Sequence, residues 1–262
     1  MESGNEQPAL TEFRKEIPDK VKIFDALAIS GLLLVLAWSI FVMDEYLGFH
    51  FREFGLEPRT LEGWRGVFTM HFLHSDLKHI SQNSLGLLVL NTFLFYFYRS
   101  ISFQVFLGLF FISPVLLWFL GRDGNHIGAS VIIYAEFAFL FVSGMIRRNP
   151  ILMRVALVVV LYYGSLIWYL FPIDRKISWE GHLSGFIAGA AMAFFLRNKG
   201  PQRKKYRFEM EPELPDDENA FWKLPEEKSE QTSELRPENR SASSADIRIN
   251  YEYKENKPNQ KI

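Results

Sequence analysis

Apolar positions in this chain fall in long blocks, not in strand-like alternation, and the blocks fill residues 21–197 with few charges between them. Six of them approach the length of a membrane helix: 23–43, 79–98, 101–120, 130–146, 151–171 and 181–196. Crossing about 30 Å of hydrocarbon takes about 20 helical residues, so the fourth and sixth are short. Block 101–120, ISFQVFLGLFFISPVLLWFL, holds no charge at all. The first block follows some twenty polar residues and lacks a small-residue cleavage site, which predicts a retained helix and not a signal peptide. Nothing in the pattern shows the paired broken helices of a repeat-built transporter. The predicted fold class is therefore an all-α membrane protein, a bundle of six transmembrane helices over residues 22–197. A cytoplasmic segment, 1–21, precedes it, and 198–262 forms a polar tail rich in Glu, Pro, Lys and Ser that is expected to be mostly disordered.

Charge sets the orientation. Arg14, Lys15, Lys20, Lys22, Arg99, Arg147, Arg148 and the cluster from Arg197 to Lys205 mark one side, while Asp44, Glu45, Glu53, Glu57, Glu62, Asp76 and Asp123 gather on the other. Positive residues favour the cytoplasm, so both termini are expected inside.

Depth can then be counted. Helices two, four and six run the same way and end at Arg99, Arg147 and Arg197. Asn83 lies 16 residues before its arginine, Ser130 lies 17 before and His182 lies 15 before. A rise of about 1.5 Å per residue puts all three about 22–26 Å above the cytoplasmic boundary, just beneath the outer surface. An amide, a hydroxyl and an imidazole on three helices share one level.

The helical faces agree. His79 and Asn83 are four apart, as are Ser130 and Tyr134, so each pair shares a face. Below His182 the run HLSGFIAG puts Gly185 and Gly189 at the small-residue spacing that lets membrane helices pack closely. A serine hydroxyl becomes a good nucleophile when a base takes its proton, and His182 can be that base. Ser130 opens a helix, where the dipole favours negative charge. His79, Asn83 and the Ser130 backbone N–H are candidate oxyanion donors. Glu180 precedes the histidine by two residues, so it is expected in a wet loop, and packing of Tyr134 on the imidazole is the better candidate for orienting it.

Composition narrows the alternatives. The chain of 262 residues has a net charge of -1, which argues against a nucleic-acid partner, and no Cys, which excludes thiol catalysis, disulfides and Cys-based zinc sites. His71-x-x-His74 with His79 invites a metal, but no HExxH-type motif accompanies it, so neither metal nor cofactor is expected. Trp38, Trp118, Trp168 and Trp179 read as interface anchors.

Taken together, HFLHSDLKHISQN (71–83), Trp64-Arg65, GAS (128–130), Tyr134 and GHLSGFIAG (181–189) resemble the rhomboid family of intramembrane serine proteases, over residues 60–197. The resemblance implies Ser130 as nucleophile and His182 as general base. It makes His79, Asn83 and Gly128 oxyanion and support residues, Tyr134 the ring stacked on the base, and His74 a structural histidine. It also implies cleavage of single-span membrane proteins without a metal, with the fifth helix and loop 172–180 as gate and cap. The partners implied are transmembrane substrates and the lipid bilayer, and the place a bacterial inner membrane; the oligomeric state is left open. Two positions depart from the pattern. Val131 replaces a usual glycine and predicts crowding between helices four and six; Glu136 in mid-span predicts a solvated or paired acid. Those departures point to the alternative, an inactive rhomboid-like protein that binds and escorts membrane helices. A channel ranks lower, because the polar residues cluster at one end.

Overall fold

The structure, a computed structural model, describes residues 17–172 and 178–203. The expectations for 1–16, for most of the cap loop and for the tail beyond 203 lie outside the described residues. The described residues form seven α-helices in order: α1 (Asp19–Leu47), α2 (Gly66–Thr69), α3 (Leu77–Phe97), α4 (Ser102–Leu120), α5 (Ser130–Arg147), α6 (Pro150–Tyr163) and α7 (Trp179–Phe195). Tighter 3-10 turns lie between α1 and α3 and at the end of α6. Among the described residues there is no strand, only an isolated bridge between Leu56 and His126.

Among the described residues five segments are long and apolar enough to cross a membrane: α1, α3, α4, α5 and Pro150–Leu170. The sixth block forms α7, whose 17 residues are fewer than a full crossing takes. The fifth block differs from the sequence expectation in kind. Its α-helix ends at Tyr163, and Gly164–Leu170 continues as a 3-10 segment. Gly164 and Ser165 are poor helix formers, and two carbonyls of the segment go to side chains of other helices.

α5 is the central helix. In it 72% of the apolar window is buried inside the protein, against 22–39% in the other four spans. Its closest neighbour is α7, and glycine is the reason. A Cβ on Gly185 would come 2.1 Å from the Val131 carbonyl oxygen, and one on Gly189 2.1 Å from that of Ala135. Gly181 extends the stripe, since its Cβ would meet Val131 Cγ2 at 3.1 Å. The crowding expected from Val131 does not occur: the valine is buried, and Gly181 and Gly185 make room for it.

The far ends of α5 and α7 are tied by Arg147. Its Nε donates to Ser143 Oγ at 2.7 Å, and its guanidinium reaches the carbonyls of Leu196 at 2.6 Å and Lys199 at 2.5 Å. The residue reads in sequence as a topology marker, but it is buried and closes the end of α7. Glu136 also departs from expectation. It is fully buried, and neither carboxyl oxygen has a hydrogen-bond partner among the described residues. Asn91 on α3 is buried in the same condition.

Candidate active site

The loop between α1 and α3 carries the first site residues. Asp76 caps α3, its Oδ1 accepting the His79 backbone N–H at 2.9 Å, which fixes the first turn. His79 is thereby held with Nδ1 3.1 Å from Ser75 Oγ, and its ring lies 5.0 Å from that of His74. One turn on, Asn83 points into the same region with a buried Nδ2 that has no hydrogen-bond partner among the described residues. His74 is buried with Nδ1 3.3 Å from the Phe72 carbonyl, which suits the structural role expected of it.

GAS (128–130) meets this pair. Gly128 has φ +119°, a backbone open to glycine but strained for other residues. A Cβ there would stand 2.7 Å from His79 Nε2 and 3.5 Å from Asn83 Nδ2, so the glycine backbone lies directly against both side chains. Its N–H donates to the Met70 carbonyl at 2.8 Å, pinning the loop. Ser130 is the first residue of α5, where backbone N–H groups have no intrahelical acceptor. His126, four residues earlier, belongs to the scaffold: Nδ1 is 2.6 Å from Ser178 Oγ and Nε2 2.9 Å from the Arg122 carbonyl.

α7 brings the imidazole. Ser178 caps the helix by accepting from the Gly181 N–H, so His182 falls in the first turn. The Tyr134 ring lies flat on the His182 ring, 4.1 Å between centroids and 8° between planes. Since Tyr134 is one turn after Ser130, this stack brings the imidazole to the level of the hydroxyl. Among the described residues no hydrogen bond joins the Ser130 hydroxyl to His182; the ring that stacks on the histidine is Tyr134, one helical turn after the serine. The other imidazole nitrogen, Nδ1, is 3.0 Å from the Tyr169 carbonyl oxygen, and the Tyr134 hydroxyl donates to the Leu166 carbonyl at 2.9 Å. Glu180 is not in a wet loop. It is buried in the first turn of α7 and directed to Arg122, Oε1 to Nε 3.5 Å, away from the histidine.

His79, Asn83, Gly128, Ser130, Tyr134 and His182 thus converge, as do Gly185 and Gly189 below them. No group of His, Asp and Glu that could hold a metal ion occurs among the described residues. Sequence reasoning missed Ser178, Gly181 and the carbonyls of Leu166 and Tyr169. Ser178 ahead of Trp-Glu-Gly is a legible cap, and Gly181 continues a visible spacing; backbone carbonyls carry no sequence signal.

Residues 61–199 match the Rhomboid domain. The chain belongs to the rhomboid family. An uncharacterized protein of Mycobacterium tuberculosis is 29% identical over 188 residues, covering 65% of this chain and 74% of the relative, and one from Mycobacterium bovis matches to the same extent. One from Mycobacterium leprae is 29% identical over 149 residues, 53% of this chain and 58% of its own. As a rhomboid with several helices of spanning length, the protein is an integral membrane protein.

Proposed function

We propose that the protein is an intramembrane serine endopeptidase acting through a Ser130–His182 dyad on transmembrane segments of single-span proteins, in a bacterial inner membrane. The observation that carries this reading is the Tyr134–His182 stack at 4.1 Å, one helical turn from Ser130. The Ser130 oxygen attacks the scissile carbonyl carbon while its proton passes to His182 Nε2. Charge gathering on the substrate oxygen is met by Asn83, His79 and the free N–H groups at the start of α5. Collapse of the tetrahedral adduct breaks the C–N bond, and His182 returns the proton to the leaving amine. Water, activated by the same imidazole, then hydrolyses the acyl-enzyme.

Asn83 supports the reading further, since a buried amide N–H2 without a partner among the described residues suits a developing oxyanion. The test is cleavage of a fluorescent single-span substrate in liposomes, alongside labelling by a serine-directed fluorophosphonate. Ser130→Ala and His182→Ala are expected to abolish both, and wild-type cleavage by either variant refutes the dyad. The second reading, an inactive helix-binding relative, predicts an unlabelled Ser130 with substrate-like helices still co-purifying. The accommodated Val131 removes one of its two supports.

A further inference from the structure

The dyad makes two demands on His182 that the dyad itself does not meet. Its Nε2 must be bare to accept the serine proton, and the ring must then carry a positive charge inside an apolar bundle. In a triad a carboxylate bonded to the other nitrogen meets both demands. Here the nearest acid in sequence, Glu180, is directed to Arg122.

The structure puts a different acceptor in that place. His182 Nδ1 lies 3.0 Å from the Tyr169 backbone oxygen. A carbonyl only accepts, so Nδ1 carries the hydrogen and Nε2 is left bare. Tyr169 is also the next-to-last residue of the 3-10 segment Gly164–Leu170 that ends the rod begun by α6. The last carbonyls of a helix lack N–H partners of their own and form the negative end of its dipole, which attracts an imidazolium. The same segment holds the second ring, because Tyr134 donates to the Leu166 carbonyl at 2.9 Å. One short stretch of backbone therefore anchors both members of the stack.

We propose that Tyr169, through its backbone carbonyl, is the positioning residue that takes the part of the triad carboxylate: it sets the His182 tautomer and stabilises the imidazolium formed during acyl transfer. This rests on the Ser130–His182 reading. Its consequence is that the base is competent when the end of the fifth span is seated. Lifting Gly164–Leu170 away releases the tautomer and the stacked ring together.

The test uses the full chain in liposomes with 15N-labelled histidine, the His182 ring signals being assigned by their loss in His182→Ala. The expected spectrum shows a protonated Nδ1 and a bare Nε2; the opposite tautomer, or an even mixture, overturns the proposal whether or not the protein cleaves anything. A second measurement weakens the acceptor without touching a side chain, by replacing the Tyr169–Leu170 amide with an ester. Ester carbonyls are poorer acceptors, so fluorophosphonate labelling of Ser130 is expected to fall about fivefold or more, at an unfolding temperature close to that of a control ester within α6. Labelling equal to that of the control overturns the proposal. A wild-type chain that never labels overturns the dyad instead, and the tautomer still decides the role of Tyr169.

Discussion

Val131 shows how a residue that breaks a family pattern is absorbed by its neighbour. The side chain is buried against Gly181, whose Cβ would meet Val131 Cγ2 at 3.1 Å, so the space removed at one position is returned at the other. Val131→Gly therefore empties a filled site and adds a flexible residue to the first turn of α5. It is expected to cost about 2–3 kcal/mol of stability and to leave turnover within about twofold. Unfolding temperature and substrate cleavage measured on one preparation check both halves; a marked rise in turnover would restore the crowding argument. Gly181→Ala makes the converse test, since its methyl group meets Ser178 Oγ at 3.0 Å as well as the valine. It is expected to disturb the cap of α7, and with it His182, and so to slow fluorophosphonate labelling.

At the scale of elements, the site depends on how closely α5 and α7 approach. Gly185 sets that distance, because a Cβ there would fall 2.1 Å from a backbone oxygen that cannot swing aside. Gly185→Leu is expected to separate the helices, lower stability by about 3 kcal/mol or more and abolish labelling of Ser130. Retained labelling would show that the dyad does not need this packing. The glycine spacing between α5 and α7 and the turn that separates Ser130 from Tyr134 were legible in the sequence, because periodicity follows from helix geometry alone. The change to a 3-10 turn at Gly164 was not, since hydropathy reads 151–171 as one uninterrupted block and says nothing of where carbonyls are needed. Arg147 misled for a related reason. Charge near a helix end signals topology, whereas burial against the carbonyls of Leu196 and Lys199 is a tertiary fact.

For the whole molecule, the polar groups buried in the bundle decide how it responds to its surroundings. Leu87 and Ile132 line one small pocket, and the rings of Tyr98, at the end of α3, and Phe139 on α5 lie 5.1 Å apart. Asn91 on α3 and Glu136 on α5 lie one turn after Leu87 and Ile132 respectively, and both are buried without hydrogen-bond partners among the described residues. Polar atoms buried without partners cost about 1–3 kcal/mol each. Asn91→Leu combined with Glu136→Leu is expected to raise stability by about 1–4 kcal/mol while cleavage persists, and a less stable double variant would show that the pair holds the bundle together. In the loop outside the spans, burial lowers the pKa of His71 from its ordinary 6.5 to about 4, and burial, helped by the neighbouring His79, lowers that of His74 to about 4. The unfolded chain therefore binds more protons than the folded one between those values, so stability is complete above about pH 6.5 and falls as pH drops toward about 4. His71 Nε2 lies 2.9 Å from the Phe110 carbonyl and so carries the hydrogen, while its bare Nδ1 is buried without a partner among the described residues, so a second proton finds no acceptor there. Unfolding temperature in detergent is expected to decline over that range, and His71→Asn to make the decline shallower, because it removes one of the buried rings that must take up a proton on unfolding. A wild-type curve that stays level from about pH 7 to about pH 4.5 would mean that water reaches both rings and that this loop is more open than its packing implies.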